Sequence, residues 1–257
     1  MALGERSANR ARWRLIAAAV LIVTVLVGLA VAGVSTLSGD SGSEDGPDSP
    51  GTSSPAPDNQ DEDQDDDGPM TPARGNKVRL VEPGGQRAGM GVEWPDTTYG
   101  AISAAVSVRE NLDLLDDARA RSQMEAVASA DSPEVIDRAV SDVRALREGL
   151  GLPPSGAAPT VGYFTAEVEA VRARTLTRLD DGSPVVEVWL HYTRYGHKAG
   201  GGPSDNPLRN QMDAVTVVRE DDDWRVTHAY EHLSDYPMQY APDSPRAWAD
   251  GWWQVER

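Results

Sequence analysis

Residues 15–37 form a run of 23 without a charged side chain, and four arginines, Arg6, Arg10, Arg12 and Arg14, stand directly before it. At about 1.5 Å per residue such a run makes a helix of roughly 34 Å, enough to cross a hydrocarbon core of about 30 Å with slight tilt. Basic residues stay on the cytoplasmic side, and no lysine or arginine follows the run until Arg74. The sequence therefore predicts a single-pass cell-membrane protein, with residues 1–14 cytoplasmic, a transmembrane helix over 15–37 and the remainder extracytoplasmic. A cleaved signal peptide is the competing reading, because Ala30-Val31-Ala32 presents a small-x-small pattern before Gly33. Signal cores of about 7–15 apolar residues are shorter than this run. Thr24, Gly28, Ala32 and Thr36 recur every fourth residue. Such a stripe lets two spans approach closely, although small residues are also common in spans that stay single.

From residue 38 to residue 76 the composition turns to Gly, Ser, Pro, Asp, Glu and Gln, with eleven acidic side chains and no basic one between Asp40 and Gly68. Like charge and low hydrophobicity leave too little burial to offset chain entropy, which predicts a disordered tether. Asp65-Asp66-Asp67-Gly68 has neither the spacing nor the glutamate of a calcium loop, and scattered flexible carboxylates make a poor cage for that ion. The chain contains no cysteine, which excludes disulfides, thiolate metal sites and a lipid-modified cysteine. Its net charge of −17 resolves into +3 before the span, −11 between Asp40 and Gly68 and −9 beyond Gly68. Direct nucleic-acid binding outside the membrane is not expected, since phosphate contacts need clustered Lys and Arg.

Residues 77–257 hold the large apolar side chains outside the span and suit one domain. Residues 77–81 read as a short strand, and the stretch carrying Gly84, Gly85, Gly89, Gly91 and Pro95 as a loop. Asp96-Thr97-Thr98 offers caps for a helix bearing Tyr99, Ile102, Val106, Leu112 and Leu115, and a second helix is expected over 118–128. Ser132-Pro133-Glu134 restarts a helix with a capping hydroxyl, a proline at the first helical position and an acid in the first turn. Ile136, Ala139, Val140, Val143, Leu146 and Leu150 line its apolar face, and Gly151 with Pro153-Pro154 ends it.

Beyond Pro159 the period shortens to two. Strands are expected over 167–179, 185–195, 208–219 and 224–229, with turns at Asp180-Asp181-Gly182 and at Glu220-Asp221-Asp222-Asp223. In the second of them Val186, Val188, Leu190 and Tyr192 share one face, and Glu187, Trp189 and His191 the other. Helices first and antiparallel strands after give an α+β fold, with helices packed on one side of a curved, cone-like sheet.

The succession of a strand ending at Asp180-Asp181-Gly182, then Val185-Val186-Glu187-Val188-Trp189-Leu190, then Asp213-Ala214-Val215-Thr216-Val217-Val218-Arg219 and Asp223-Trp224-Arg225-Val226 resembles the nuclear transport factor 2-like (cystatin-like cone) superfamily. The resemblance spans residues 98–230 and lies in topology more than in invariant residues. An anchor, an acidic tether and such a domain together look like the bitopic scaffold proteins of conjugation and type IV secretion machines, and like actinobacterial membrane proteins built the same way. The resemblance implies a non-enzymatic interaction or scaffold module with other membrane or secretion-apparatus proteins as partners, and homo-oligomers as one arrangement. Superfamily members also include small isomerases and cyclases that place Asp and His inside the cone, which keeps a tethered ligand-binding or catalytic cone as the alternative.

An enzyme needs a buried acid or base, and the candidates are His191, Asp213 and His228. His191 and Asp213 alternate with the faces expected to be buried, which points both toward solvent or a partner. His228 shares a face with Trp224 and Val226 and reads as a packed, hydrogen-bonded histidine. His228 and His232 have zinc-like i, i+4 spacing but straddle a strand end without a His-Glu-x-x-His frame. Gly200-Gly201-Gly202 lacks the following Lys-Ser/Thr of a phosphate loop and reads as a flexible tip. No Gly-x-Ser-x-Gly elbow occurs. No catalytic residue, cofactor or metal is therefore assigned from the sequence.

The last residues are rich in aromatics: Tyr236, Tyr240, Trp248, Trp252 and Trp253. Ser244-Pro245 could start a helix presenting Trp248 and Trp252 together, either as a docking surface or as the closure of one end of the cone. The domain has one Phe with which to fill its core, which favours closure. The anchor reading predicts that the mature chain sediments with membranes and retains residues upstream of Gly33. Amino-terminal sequencing that begins at Gly33 contradicts it.

Overall fold

Two tight turns bend the second half of the chain into a meander. The computed structural model describes residues 75–157, 162–198, 200–230 and 249–257. The expected span and the tether up to residue 74 lie outside them, as do His232, Tyr236, Tyr240, Ser244, Pro245 and Trp248. Among the described residues no helix is long and apolar enough to cross a membrane.

The meander strands are β4 (Gly162–Arg178), β5 (Pro184–Lys198), β6 (Leu208–Glu220) and β7 (Asp223–Val226). Between β4 and β5, Gly182 takes φ +85°, and Leu179 and Ser183 close the turn with a 2.9 Å backbone bond. Between β6 and β7 both central residues, Asp221 and Asp222, have positive φ (49° and 60°). That is the backbone a two-residue hairpin needs, and aspartate tolerates it better than a branched residue would. The acidic turn read from the sequence is thus a backbone solution as well as a solvated tip.

Before the meander come β1 (Lys77–Arg79), β2 (Gly85–Arg87), β3 (Met90–Val92), α1 (Thr98–Asn111), α2 (Asp117–Val127) and α3 (Glu134–Gly149). After it comes β8 (Trp253–Glu256), which runs parallel to β1 and antiparallel to β4. The main sheet has six strands in the order β1-β8-β4-β5-β6-β7, and β2 and β3 form a separate antiparallel pair. The result is an α+β fold of three described helices on a curved, mostly antiparallel sheet.

Helix α1 starts where the sequence places it: the Thr97 hydroxyl accepts a 3.0 Å bond from the Gly100 amide. It ends at Asn111, so Leu115 belongs to the following loop and packs with Leu146 instead. Gly100, Ala101, Ile102, Ser103, Ala104, Ala105 and Val106 are all buried. A helix hydrophobic on one stripe would show polar residues among them; this one is enclosed nearly all round. Its small side chains let it lie close on Val168, Val171, Val186, Val188, Leu190, Val215 and Val217 in one apolar cluster. A side chain at Gly100 would place its Cβ 2.0 Å from the Pro95 carbonyl oxygen, so that close approach requires glycine.

Four expectations are corrected. The glycine-rich stretch 84–95 contains the β2–β3 hairpin, with Met90 and Val92 buried in the core and Trp94 beside them. Ser132 is not the cap of α3: Pro133 holds that position and no side chain caps the helix. The Ser132 hydroxyl instead accepts from the amides of His228 (3.0 Å) and Ala229 (3.1 Å), fixing the end of β7. That strand stops at Val226 rather than at residue 229: Thr227 still donates to the Thr216 carbonyl, but the amides of His228 and Ala229 bond to the hydroxyls of Ser132 and Thr227 in place of a neighbouring strand. Finally, Trp252 sits on no helix. It follows a turn at Asp250-Gly251, with Gly251 at φ +87°, and leads into β8.

Trp252 is fully buried and packs with Ala170 and Trp189 on the face of the sheet away from α1. Trp253 packs against the main core and meets Tyr99 edge-on at 6.2 Å. These two tail aromatics close the domain. Trp252→Ala is expected to destabilise the domain by about 3–5 kcal/mol through the lost burial and the residual cavity. Urea unfolding followed by circular dichroism measures it, and a loss below about 1 kcal/mol would be at odds with this packing.

Candidate functional site

Polar groups gather at two places around β5, one on each face of the sheet. On the face away from the helices, a bulge between Val168 and Ala170 makes Glu169 the extra residue of β4. Its carboxylate accepts a 2.5 Å bond from the Thr193 hydroxyl and stands 3.3 Å from His191 Nδ1. His191 is 1% exposed. The alternation that pointed His191 at solvent is therefore misleading: β5 is buried on both faces from Val185 to Thr193. Beside it the Glu187 carboxylate, also buried, accepts from Arg174 Nε (2.6 Å) and Trp189 Nε1 (2.9 Å). The His191 bond, chiefly, holds the Glu169 carboxyl below its usual range; burial opposes this and Thr193 assists. A carboxylate that orients an imidazole is part of many catalytic sites, but this imidazole is enclosed in the fold, out of reach of a substrate arriving from solvent.

On the helix-facing side, α1 brings Arg109 and β5 brings Arg194 to the same aromatic ring. The guanidinium carbon of Arg109 lies 5.1 Å from the Tyr192 ring centre, and that of Arg194 5.7 Å from it. Arg194 Nη2 also donates to the Tyr192 hydroxyl at 3.3 Å. Asp213 on β6 pairs with Arg109, whose side chain is 16% exposed against 42% for the aspartate. The expectation that Asp213 meets solvent holds in part, since it is half open while its charge is engaged. Burial pushes the Arg194 guanidinium below its usual value; Tyr192 opposes the shift, and the Arg109 charge adds to it. Asp142 on α3 completes the surroundings, its carboxyl raised by the protein that displaces water around it and drawn back down by the charges of Arg138, Arg109 and His228.

The sequence reading did not single out Arg109, Tyr192 or Arg194. In sequence Tyr192 reads as an apolar residue of its strand face, and Arg109 and Arg194 lie on separate elements with no spacing that links them. The third candidate, His228, lies just past β7 with its Nδ1 2.9 Å from Arg138 Nη1, a hydrogen-bonded and half-buried histidine as the sequence suggested. Among the described residues no group of three or more His, Asp or Glu is placed to hold a metal ion. The Gly200-Gly201-Gly202 tip follows β5, with Gly200 at φ +69°, and is exposed. Asp117, on α2, has its carboxyl held low by the Gly156 amide, the Ser155 hydroxyl and Arg144. That grip fastens the chain after α3, and Arg147 reinforces it with bonds to the carbonyls of Pro153 (2.7 Å) and Ala157 (3.0 Å).

Comparison with protein families gives no match to this chain, and neither does comparison with curated proteins or with solved structures. The site must be read from its own geometry.

The Glu169 pair gives one pH-dependent outcome. Its carboxyl is held below the unfolded value of about 4.3, so its contribution is complete above that pH and is lost as pH falls through the lower folded value. Stability should thus decline as pH is lowered below about 4.3, and less steeply for Glu169→Gln than for the wild type. Urea midpoints measured from pH 7 to pH 3 test this; parallel curves for the two proteins would contradict it.

Proposed function

We propose that the chain is a membrane-anchored, extracytoplasmic interaction module built on a nuclear transport factor 2-like cone, serving as a scaffold in an assembly of the conjugation or secretion type. The observation that carries this reading is the filling of the concave side of the sheet. Val188, Leu190 and Val217 are fully buried beneath α1, where a ligand-binding cone would keep a cavity. The ionisable groups named as catalytic candidates support it too: His191 faces Glu169, Asp213 pairs with Arg109 and His228 with Arg138. Their chemistry is spent within the fold.

The anchor and tether belong to the same proposal. The unbroken apolar run at 15–37 and the arginines before it support a single span, and the acidic stretch after it supports a repelling, extended connection that carries the domain away from the bilayer. Such a layout suits a protein that reaches neighbours in the same membrane.

Crosslinking in native membranes followed by identification of the captured neighbours tests the function. Recovery of components of one secretion or conjugation channel is the expected outcome. Recovery of no membrane partner, or protection of the domain from protease added to intact cells, would overturn the proposal.

A further inference from the structure

We propose that Arg109, Tyr192 and Arg194 form a binding subsite for a single oxyanion, of the phosphate or carboxylate class, at the helix-facing side of the sheet. The inference stands on the folded domain and does not depend on the scaffold reading.

The chain itself shows how it satisfies a buried or partly buried guanidinium when the purpose is structural. Arg147 donates to the carbonyls of Leu115, Pro153, Ser155 and Ala157, and Arg174 is bound by the Glu187 carboxylate. The pair at Tyr192 departs from that pattern. The Nε atoms of both Arg109 and Arg194 are buried and have no hydrogen-bond partner. Arg194 meets no carboxylate among the described residues; its one hydrogen bond goes to the Tyr192 hydroxyl, a neutral acceptor. Two like charges are thus held against one ring with a single paired aspartate, Asp213, between them and neutrality.

Bringing two guanidiniums together in a partly dry site costs free energy unless an anion spreads its charge over both. Arginine offers a planar fork of donors matched to carboxylate and phosphate oxygens, which a lysine would not. The Tyr192 ring lies 5.1 and 5.7 Å from the two guanidinium carbons and attracts both cations. Asp213 then acts as the internal competitor: half exposed, it can leave Arg109 when an external anion arrives. Asp142 on α3 is the other acidic group acting on Arg109. The chain carries a net charge of −17, so its general field repels anions, and saturable binding would report this local pair.

Titration calorimetry on the purified full chain tests the subsite with inorganic phosphate and, separately, acetate, against sodium chloride at matched ionic strength. Saturable heat from phosphate, from acetate or from both is expected, and the stronger of the two identifies the class. Arg194→Gln should weaken the binding roughly tenfold or more, as expected for loss of a charge-assisted bond. Asp213→Asn should tighten it severalfold by freeing Arg109, a gain that an unfolded variant could not produce. No saturable heat with either anion in both the wild type and Asp213→Asn, or equal affinity in wild type and Arg194→Gln, would overturn the assignment.

Discussion

Strand β5 is the member on which the rest of the domain depends, because it is paired along both edges and covered on both faces. Its neighbours β4 and β6 supply the hydrogen bonds, α1 covers one side, and Trp252 with Ala170 covers the other beside Trp189. A strand in that position has no solvent-facing alternation to obey, so Glu187, His191 and Thr193 had to be given partners inside the fold. The pairs Glu187–Arg174 and Glu169–His191, each joining one buried side chain to one that is partly exposed, are the consequence. Removing either partner alone would leave a charge or a polar group stranded, which is why these positions read better as structure than as chemistry.

The sequence carried the local part of this fold well. Helix α3 and the four meander strands follow from side-chain period and turn residues, and the α+β order follows from them. What it could not carry was anything decided by a distant segment. Strand β8 is four residues long and finds its place only by lying between β1 and β4; no periodicity marks it. His191 is buried on the side that alternation assigns to solvent, where Trp252, from the far end of the chain, packs on its neighbours Ala170 and Trp189. Ser132 looked like a helix cap because its spacing is that of one, yet the nearby end of β7 offers its hydroxyl two amides. The Arg109–Tyr192–Arg194 group joins a helix to a strand and has no signature in sequence at all.

The two faces of the sheet therefore have different characters. The outer one is a layer whose ionisable groups are matched to one another around a bulge and a tryptophan, with Glu169 and Arg174 partly exposed at its surface. The inner one is filled with valine and leucine up to the level of Tyr192, where two arginines introduce charge that the protein only half neutralises. In the proposed scaffold role the first kind of face would supply rigidity and the second recognition, which the proposed acidic tether would hold away from the bilayer.

Strand β5, locked from four directions, should be the last part of the domain to open. Native-state hydrogen exchange measures this residue by residue. The amides of residues 186–192 should exchange only through global unfolding, with the same denaturant dependence as the whole domain, while those of the short β2–β3 hairpin exchange through smaller openings. Exchange of the β5 amides at or above the rate of the hairpin would contradict the account.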